Sequence, residues 1–133
     1  MQNRIVTAAV IEKNGKILIA KRKSGDNLEH KWEFPGGKLE VGETPEECLR
    51  RELYEEFGID TDIGEYFCSS IYEYKHISVE LRAYRVKHKC GDFKLHSHEE
   101  ILWVDIHDLE KFDFAEADRP IAKKIMEACQ NAI

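Results

Sequence analysis

The chain has 133 residues, 42% of them hydrophobic and 35% charged, with a formal net charge of −6. That reads as one globular domain, 1–133, with enough apolar content for a core and too little length for two comfortable ones. The acidic balance, without clustered Lys and Arg, argues against binding of nucleic-acid polymers. No apolar run approaches the ~18–20 residues of a membrane span and no secretory pattern opens the chain, so the expectation is a cytoplasmic protein, monomer or homodimer, with no membrane partner.

Ile5–Ile11 and Lys16–Ala20 are rich in Val, Ile and Ala, and the Asn14-Gly15 between them is a strong hairpin signal. Lys21, Arg22 and Lys23 leave a local cationic patch at the exit of the second strand. Ser24–His30 reads as a polar surface loop able to close over a ligand, and Trp32-Glu33-Phe34 as a short strand. Pro35-Gly36-Gly37 makes a tight turn whose missing side chains let backbone approach a ligand.

Thr44, Pro45 and Glu47 form a capping box with proline at the first helical position, and Gly58 stands where a left-handed cap would end the helix. A helix from about Pro45 to Phe57 follows. At about 100° per residue, Leu49, Leu53 and Phe57 make its apolar stripe, and Glu52, Glu55 and Glu56 crowd the flank beside it. Each like-charge neighbour costs roughly 0.2–0.5 kcal/mol on an isolated helix. Arg51 points to another side, toward Glu47 or Glu55, and is a poor candidate to neutralise all three acids. A hard cation suits them better: Mg²⁺, with Mn²⁺ as its substitute, takes oxygen ligands and needs only one or two carboxylates plus substrate phosphates.

Ile63–Tyr74 and Ile77–Val86 read as an antiparallel pair turning near Lys75, with Ile77, Val79, Leu81 and Ala83 on one face of the second strand. Cys90-Gly91-Asp92 marks a turn, and Glu100–Val104 a last strand anchored by Trp103. The His96-Ser97-His98 pair before it has transition-metal spacing but no third ligand nearby, so zinc has little support. Cys48, Cys68, Cys90 and Cys129 form no C-x-x-C pair and read as reduced thiols. Asp105–Phe112 reads as a short helical turn. Arg119–Ala132 repeats Ile121, Ile125 and Cys129 as a terminal amphipathic helix, with Asp118 as its N-cap beside Pro120.

Gly37, Glu43, Arg51, Glu52, Leu53, Glu55, Glu56, Gly58 and Ile59 fill every fixed position of the pattern G-x5-E-x7-R-E-U-x-E-E-x-G-U. The chain thus resembles the Nudix hydrolases, and Trp32-Glu33-Phe34-Pro35-Gly36 makes it similar to their MutT-like branch, which hydrolyses nucleoside triphosphates. The resemblance implies an α/β fold, an α/β/α sandwich around a mixed β-sheet. It also implies metal ligands at the Gly36 carbonyl, Glu52, Glu55 and Glu56, with Glu52 or alternatively Glu55 as the base, and Glu43 holding Arg51.

The resemblance further implies substrate contacts at Arg22, at Phe34 in a nucleobase pocket, and at Asp118 where MutT places a base-reading asparagine. Lys75 is a candidate phosphate contact from its turn. An additional metal-binding glutamate expected in the loop before Trp103 falls on Ser97, leaving Glu99 or Glu100 to replace it. An ionised Asp118 only accepts hydrogen bonds, which would favour an exocyclic amino group. The implied reaction is hydrolysis of a small nucleotide, 8-oxo-dGTP-like or CTP/5-methyl-CTP-like, to monophosphate and pyrophosphate. The alternatives are a non-catalytic nucleotide-sensing module or a hydrolase of another nucleoside diphosphate-linked compound.

Overall fold

The computed structural model describes residues 2–23 and 30–131; of the loop expected at Ser24–His30, all but His30 lies outside them. Six strands, β1 (Gln2–Lys13), β2 (Lys16–Arg22), β3 (Trp32–Glu33), β4 (Asp60–Tyr74), β5 (Ile77–Cys90) and β6 (His98–Asp105), join with helices α1 (Pro45–Phe57) and α2 (Arg119–Asn131). Two short 3₁₀ turns, Ile106–Lys111 and Glu116–Asp118, lead into α2.

The sheet is mixed and six-stranded: β1 runs parallel to β5 and antiparallel to β2, β2 carries β3 and β6, and β4 closes the far edge against β5. Alternation along β1 divides the core. Ala8 and Val10 join Ile17, Ile19, Leu81, Ile121 and Ile125 under α2, while Ala9 and Ile11 join Leu18, Leu49, Leu53 and Phe57 under α1. This is the expected α/β/α sandwich, with each face of the sheet covered by one amphipathic helix. None of the helices among the described residues is long and apolar enough to cross a membrane.

β1 and β2 pair only beside their hairpin, at Glu12↔Ile17 and Lys13↔Lys16, and then diverge. Pro35–Leu39 occupies the vacated edge of β1. Ala9 donates its amide to the Pro35 carbonyl at 2.7 Å, Thr7 to Gly37 at 2.8 Å, and Leu39 donates to Ile5 at 3.0 Å. The glycine turn is therefore held by main-chain bonds like a strand, and the gap between β1 and β2 becomes a cleft.

α1 has the boundaries its caps predict. Thr44 accepts the Glu47 amide, the Glu47 side chain accepts the Thr44 amide, and Gly58 closes the helix at φ 70°. Most strands run longer than expected, and the starts of two of them have an identifiable cause. β4 begins at Asp60, ahead of Ile63, because the antiparallel pairing with β5 carries it through several register shifts. β6 begins at His98, two residues before Glu100, because Lys21 pairs with Glu100 and Arg22 with His98, leaving Glu99 as an extra residue in a bulge.

Candidate active site

The cleft encloses about 750 Å³, within the range of pockets that hold small organic ligands. Three kinds of wall line it. Glu56 of α1 and the Gly36-Gly37 turn form one side, Val6, Val79, Leu81, Phe34, Ala115 and Ala117 an apolar floor, and Arg22, Lys23, Arg4 and Lys38 supply cations. Lys23 belongs to the cationic patch expected at the end of β2, whereas Arg4 and Lys38 were not anticipated and join it only because β1 and the glycine turn meet there.

The acids of α1 are not equivalent. Arg51 donates Nε and Nη2 to Glu43 at 2.6 and 3.0 Å, and Nη1 to Glu52 at 3.0 Å and to Glu55 at 3.2 Å. The expected Glu43–Arg51 clamp is thus formed, as is the expected pairing with Glu55, while the contact with Glu52 adds an acid Arg51 was not expected to reach. The guanidinium bonds pull the Glu43 carboxyl down to about 2 and push the Arg51 pKa up.

Glu56 lies beyond that reach. Its Oε2 is buried with no hydrogen-bond partner among the described residues, and burial, with repulsion from Glu33 and Glu52, pushes its carboxyl up to about 9. Burial likewise raises Glu52, against the opposing pull of Arg51.

The glycine turn packs too closely against β1 and Glu52 to carry side chains. A Cβ on Gly36 would meet the Thr7 carbonyl oxygen at 1.9 Å, and one on Gly37 would meet Cδ of Glu52 at 2.2 Å. Since the Pro35 and Gly37 carbonyls both accept from β1, strand alternation turns the Gly36 carbonyl the opposite way. An orphaned buried carboxyl oxygen and a backbone carbonyl on the same cleft are oxygen donors of the kind a divalent cation takes. Among the described residues, no three acid, histidine or cysteine side chains already converge on one point.

Phe34 and Asp118 stand together at the floor. The Phe34 amide donates to Asp118 Oδ1 at 2.9 Å, and the Phe34 ring stacks on Phe114 at 5.1 Å between centroids. Asp118 ends a 3₁₀ turn that runs directly into α2, so its carboxyl serves Phe34 across 84 residues of sequence instead of the helix cap expected for it. It is 6% exposed, and burial, reinforced by the charge of Glu33, holds its pKa well above the ordinary value although the Phe34 amide and Arg22 oppose this. That direction favours the protonated form, which would offer an O–H donor besides the acceptor expected of ionised Asp118.

Glu99 and Lys75 lie apart from these walls. Glu99 Oε1 pairs with His30 Nδ1 at 2.7 Å and stands 3.8 Å from Lys21 Nζ, and Lys75 sits at φ 34° in the β4–β5 turn, where its neighbour Tyr74 reaches the cleft instead. Sequence reasoning missed His98. It is 3% exposed, its Nε2 pairs with Glu33 Oε2 at 2.7 Å, and its ring stacks on Phe57 at 5.3 Å. The H-x-H spacing drew attention to it as a metal ligand, whereas the bulge at Glu99 turns it into the protein.

Residues 6–124 match the NUDIX domain family. The chain is 36% identical over 121 residues to the CTP pyrophosphohydrolase of Escherichia coli (strain K12), spanning 91% of this chain and 90% of that protein. It is 31% identical over 122 residues to the 8-oxo-dGTP diphosphatase of the same organism, spanning 92% and 95%. The solution structure of the E. coli ORF135 protein superposes with a TM-score of 0.89 at 36% identity, over 99% of this chain and 94% of that one. Sequence and fold together place the chain in the NUDIX domain family. It is a Nudix hydrolase, an enzyme of phosphoric anhydride bonds, and its family generally uses divalent metal cations.

Proposed function

We propose that the enzyme hydrolyses a nucleoside triphosphate to the monophosphate and pyrophosphate with Mg²⁺, replaceable by Mn²⁺, and that its base is cytosine-like. The observation that carries the reading is the unpartnered Glu56 carboxyl at one side of a cleft whose floor joins Phe34 to a buried Asp118. Glu56, Glu52, Glu55 and the Gly36 carbonyl would hold the metal, which when bound neutralises phosphate oxygens and lowers the pKa of water.

Glu52 takes the proton as a water oxygen attacks phosphorus and the P–O–P bond breaks, releasing pyrophosphate. Its raised pKa brings its basicity closer to neutral pH. Arg51 touches Glu52 and keeps it oriented. Arg22, Lys23, Arg4 and Lys38 offset the charge of the phosphates, which lets a protein of net charge −6 admit a polyanion. Glu52 and Glu55 do not line the cleft themselves but lie within one turn of Glu56 on α1, whereas Glu99 is paired with His30 and Lys75 stands in the β4–β5 turn, so these last two are left out of this set.

Protonated Asp118 donates to an acceptor on the base edge, such as N3 of cytosine, and Phe34 and its apolar neighbours flank the ring. The names of the E. coli relatives support cytidine and oxidised guanine nucleotides as the two candidates. Pyrophosphate release from CTP, 5-methyl-CTP, 8-oxo-dGTP and the ordinary triphosphates, with Mg²⁺ and with chelator, tests the proposal. A metal-dependent preference for the cytidine nucleotides is expected; preference for 8-oxo-dGTP would overturn the base assignment, and release undiminished by chelator would overturn the metal.

A further inference from the structure

We propose that His98 is a positioning residue of the nucleotide cleft, holding Glu33 so that the other oxygen of Glu33 holds Arg22. Three neighbouring strands each contribute one member. Arg22 ends β2, Glu33 ends β3, and His98 begins β6, and both outer strands pair with β2. Glu33 Oε1 accepts Arg22 Nη1 at 2.9 Å, while Oε2 takes His98 Nε2 at 2.7 Å. Both oxygens of one largely buried carboxylate are thus used, and both partners line the cleft.

The His98 ring cannot easily turn away from this bond. It stacks on Phe57 with 14° between the planes, and Phe57 follows Glu56 directly at the end of α1. A carboxylate supplies only acceptors, so the hydrogen of this bond sits on Nε2, and Nδ1 is left buried without a hydrogen-bond partner among the described residues. An orphaned ring nitrogen is a poor bargain for a residue serving only the core, where a phenyl ring would fill the same space. The geometry makes sense if the Nε2 bond is what matters: it fixes the carboxylate that orients a cleft-lining guanidinium. The assignment rests on the proposed nucleotide substrate.

Two variants separate the bond from the stack. His98→Phe keeps a ring on Phe57 and removes the donor, whereas His98→Gln places an amide nitrogen near the Nε2 position and removes the ring. With the nucleotide that wild type hydrolyses best, His98→Phe is expected to raise KM roughly ten-fold, as for loss of a hydrogen bond to a charged group, with kcat at saturating metal within about three-fold, and His98→Gln to recover most of that KM. Equal KM in His98→Phe and wild type, or equal impairment in both variants, would overturn the proposal. Imidazole nitrogen NMR of the wild type supplies a readout independent of turnover: a slowly exchanging hydrogen on Nε2 is expected, and its absence would overturn the pairing. Failure of the nucleotide reading shows differently, as wild type that releases no pyrophosphate from any triphosphate; the affinity of each protein for inorganic pyrophosphate then takes the place of KM, with the same expected order.

Discussion

Glu43, just before α1, and Glu56, near its end, sit at opposite ends of the carboxylate range, one pulled down to about 2 and the other pushed up to about 9. Glu43 meets a two-pronged guanidinium; Glu56 meets burial, other acids and an empty hydrogen-bonding direction. Where a guanidinium bonds the acid, as at Glu43, a loop is fastened to a helix; Glu56, which has no such bond among the described residues, is the acid proposed above as a metal ligand.

The strongest way to break this contrast is Glu56→Gln, which keeps bulk and burial but removes the charge. Turnover at saturating Mg²⁺ is expected to fall by at least about 10²-fold, and unchanged pyrophosphate release would deny Glu56 any metal role. Stability should move the other way. In chelator, the unfolded state ionises Glu56 above about 4.5 while the native state keeps it protonated to about 9, so the unfolded state binds fewer protons across that window. Metal-free wild type therefore loses stability as pH rises, by up to about 1.4 kcal/mol per pH unit from this group, and Glu56→Gln does not. Denaturant midpoints of the two proteins from pH 5 to 9 should diverge without metal and draw together with it. Glu43 has the opposite sign, contributing stability above its unfolded pKa that is lost as pH falls toward about 2.

Arg51→Lys tests the fastened end. A point-like ammonium cannot reproduce the forked bonds to Glu43 and the reach to Glu52 and Glu55, and the melting temperature should drop by roughly 4–8 °C. A thermal scan matching wild type would show that the clamp contributes nothing. Asp118→Asn is expected to change relative rates among bases by roughly ten-fold while the Mg²⁺ concentration for half-maximal rate stays fixed; identical relative rates on the whole panel would end its base-reading role. The smallest effects belong to Glu99→Gln and Lys75→Ala, each expected to alter kcat/KM by less than about two-fold, as for surface changes away from a site. A large loss in Glu99→Gln would restore it as a ligand.

Much of this was legible because the relevant physics is local. A capping box, a first-turn proline and a left-handed glycine delimit α1 with no help from the rest of the chain, and Asn14-Gly15 does the same for the first hairpin. The Glu43–Arg51 pair could be anticipated because one motif carries both partners. What stayed hidden depends on distant contacts. The bulge that buries His98 and turns Glu99 outward arises from pairing with β2, some 76 residues earlier, as the Arg22↔His98 register shows. The upward shift of Asp118 follows from its burial and from the charge of Glu33, which no spacing reveals. Arg4 and Lys38 join the cleft only because Pro35–Leu39 takes the edge of β1.

That edge substitution also bears on motion. Ligand-binding loops usually belong to the least stable part of a fold and open many times before the whole unfolds. Here the glycine turn cannot lift without breaking the amide bonds of Thr7 and Ala9, two buried residues in the strand shared by both cores. Hydrogen exchange at these two amides should therefore proceed only through global unfolding, so that the part of the enzyme nearest the chemistry is also among the last to yield.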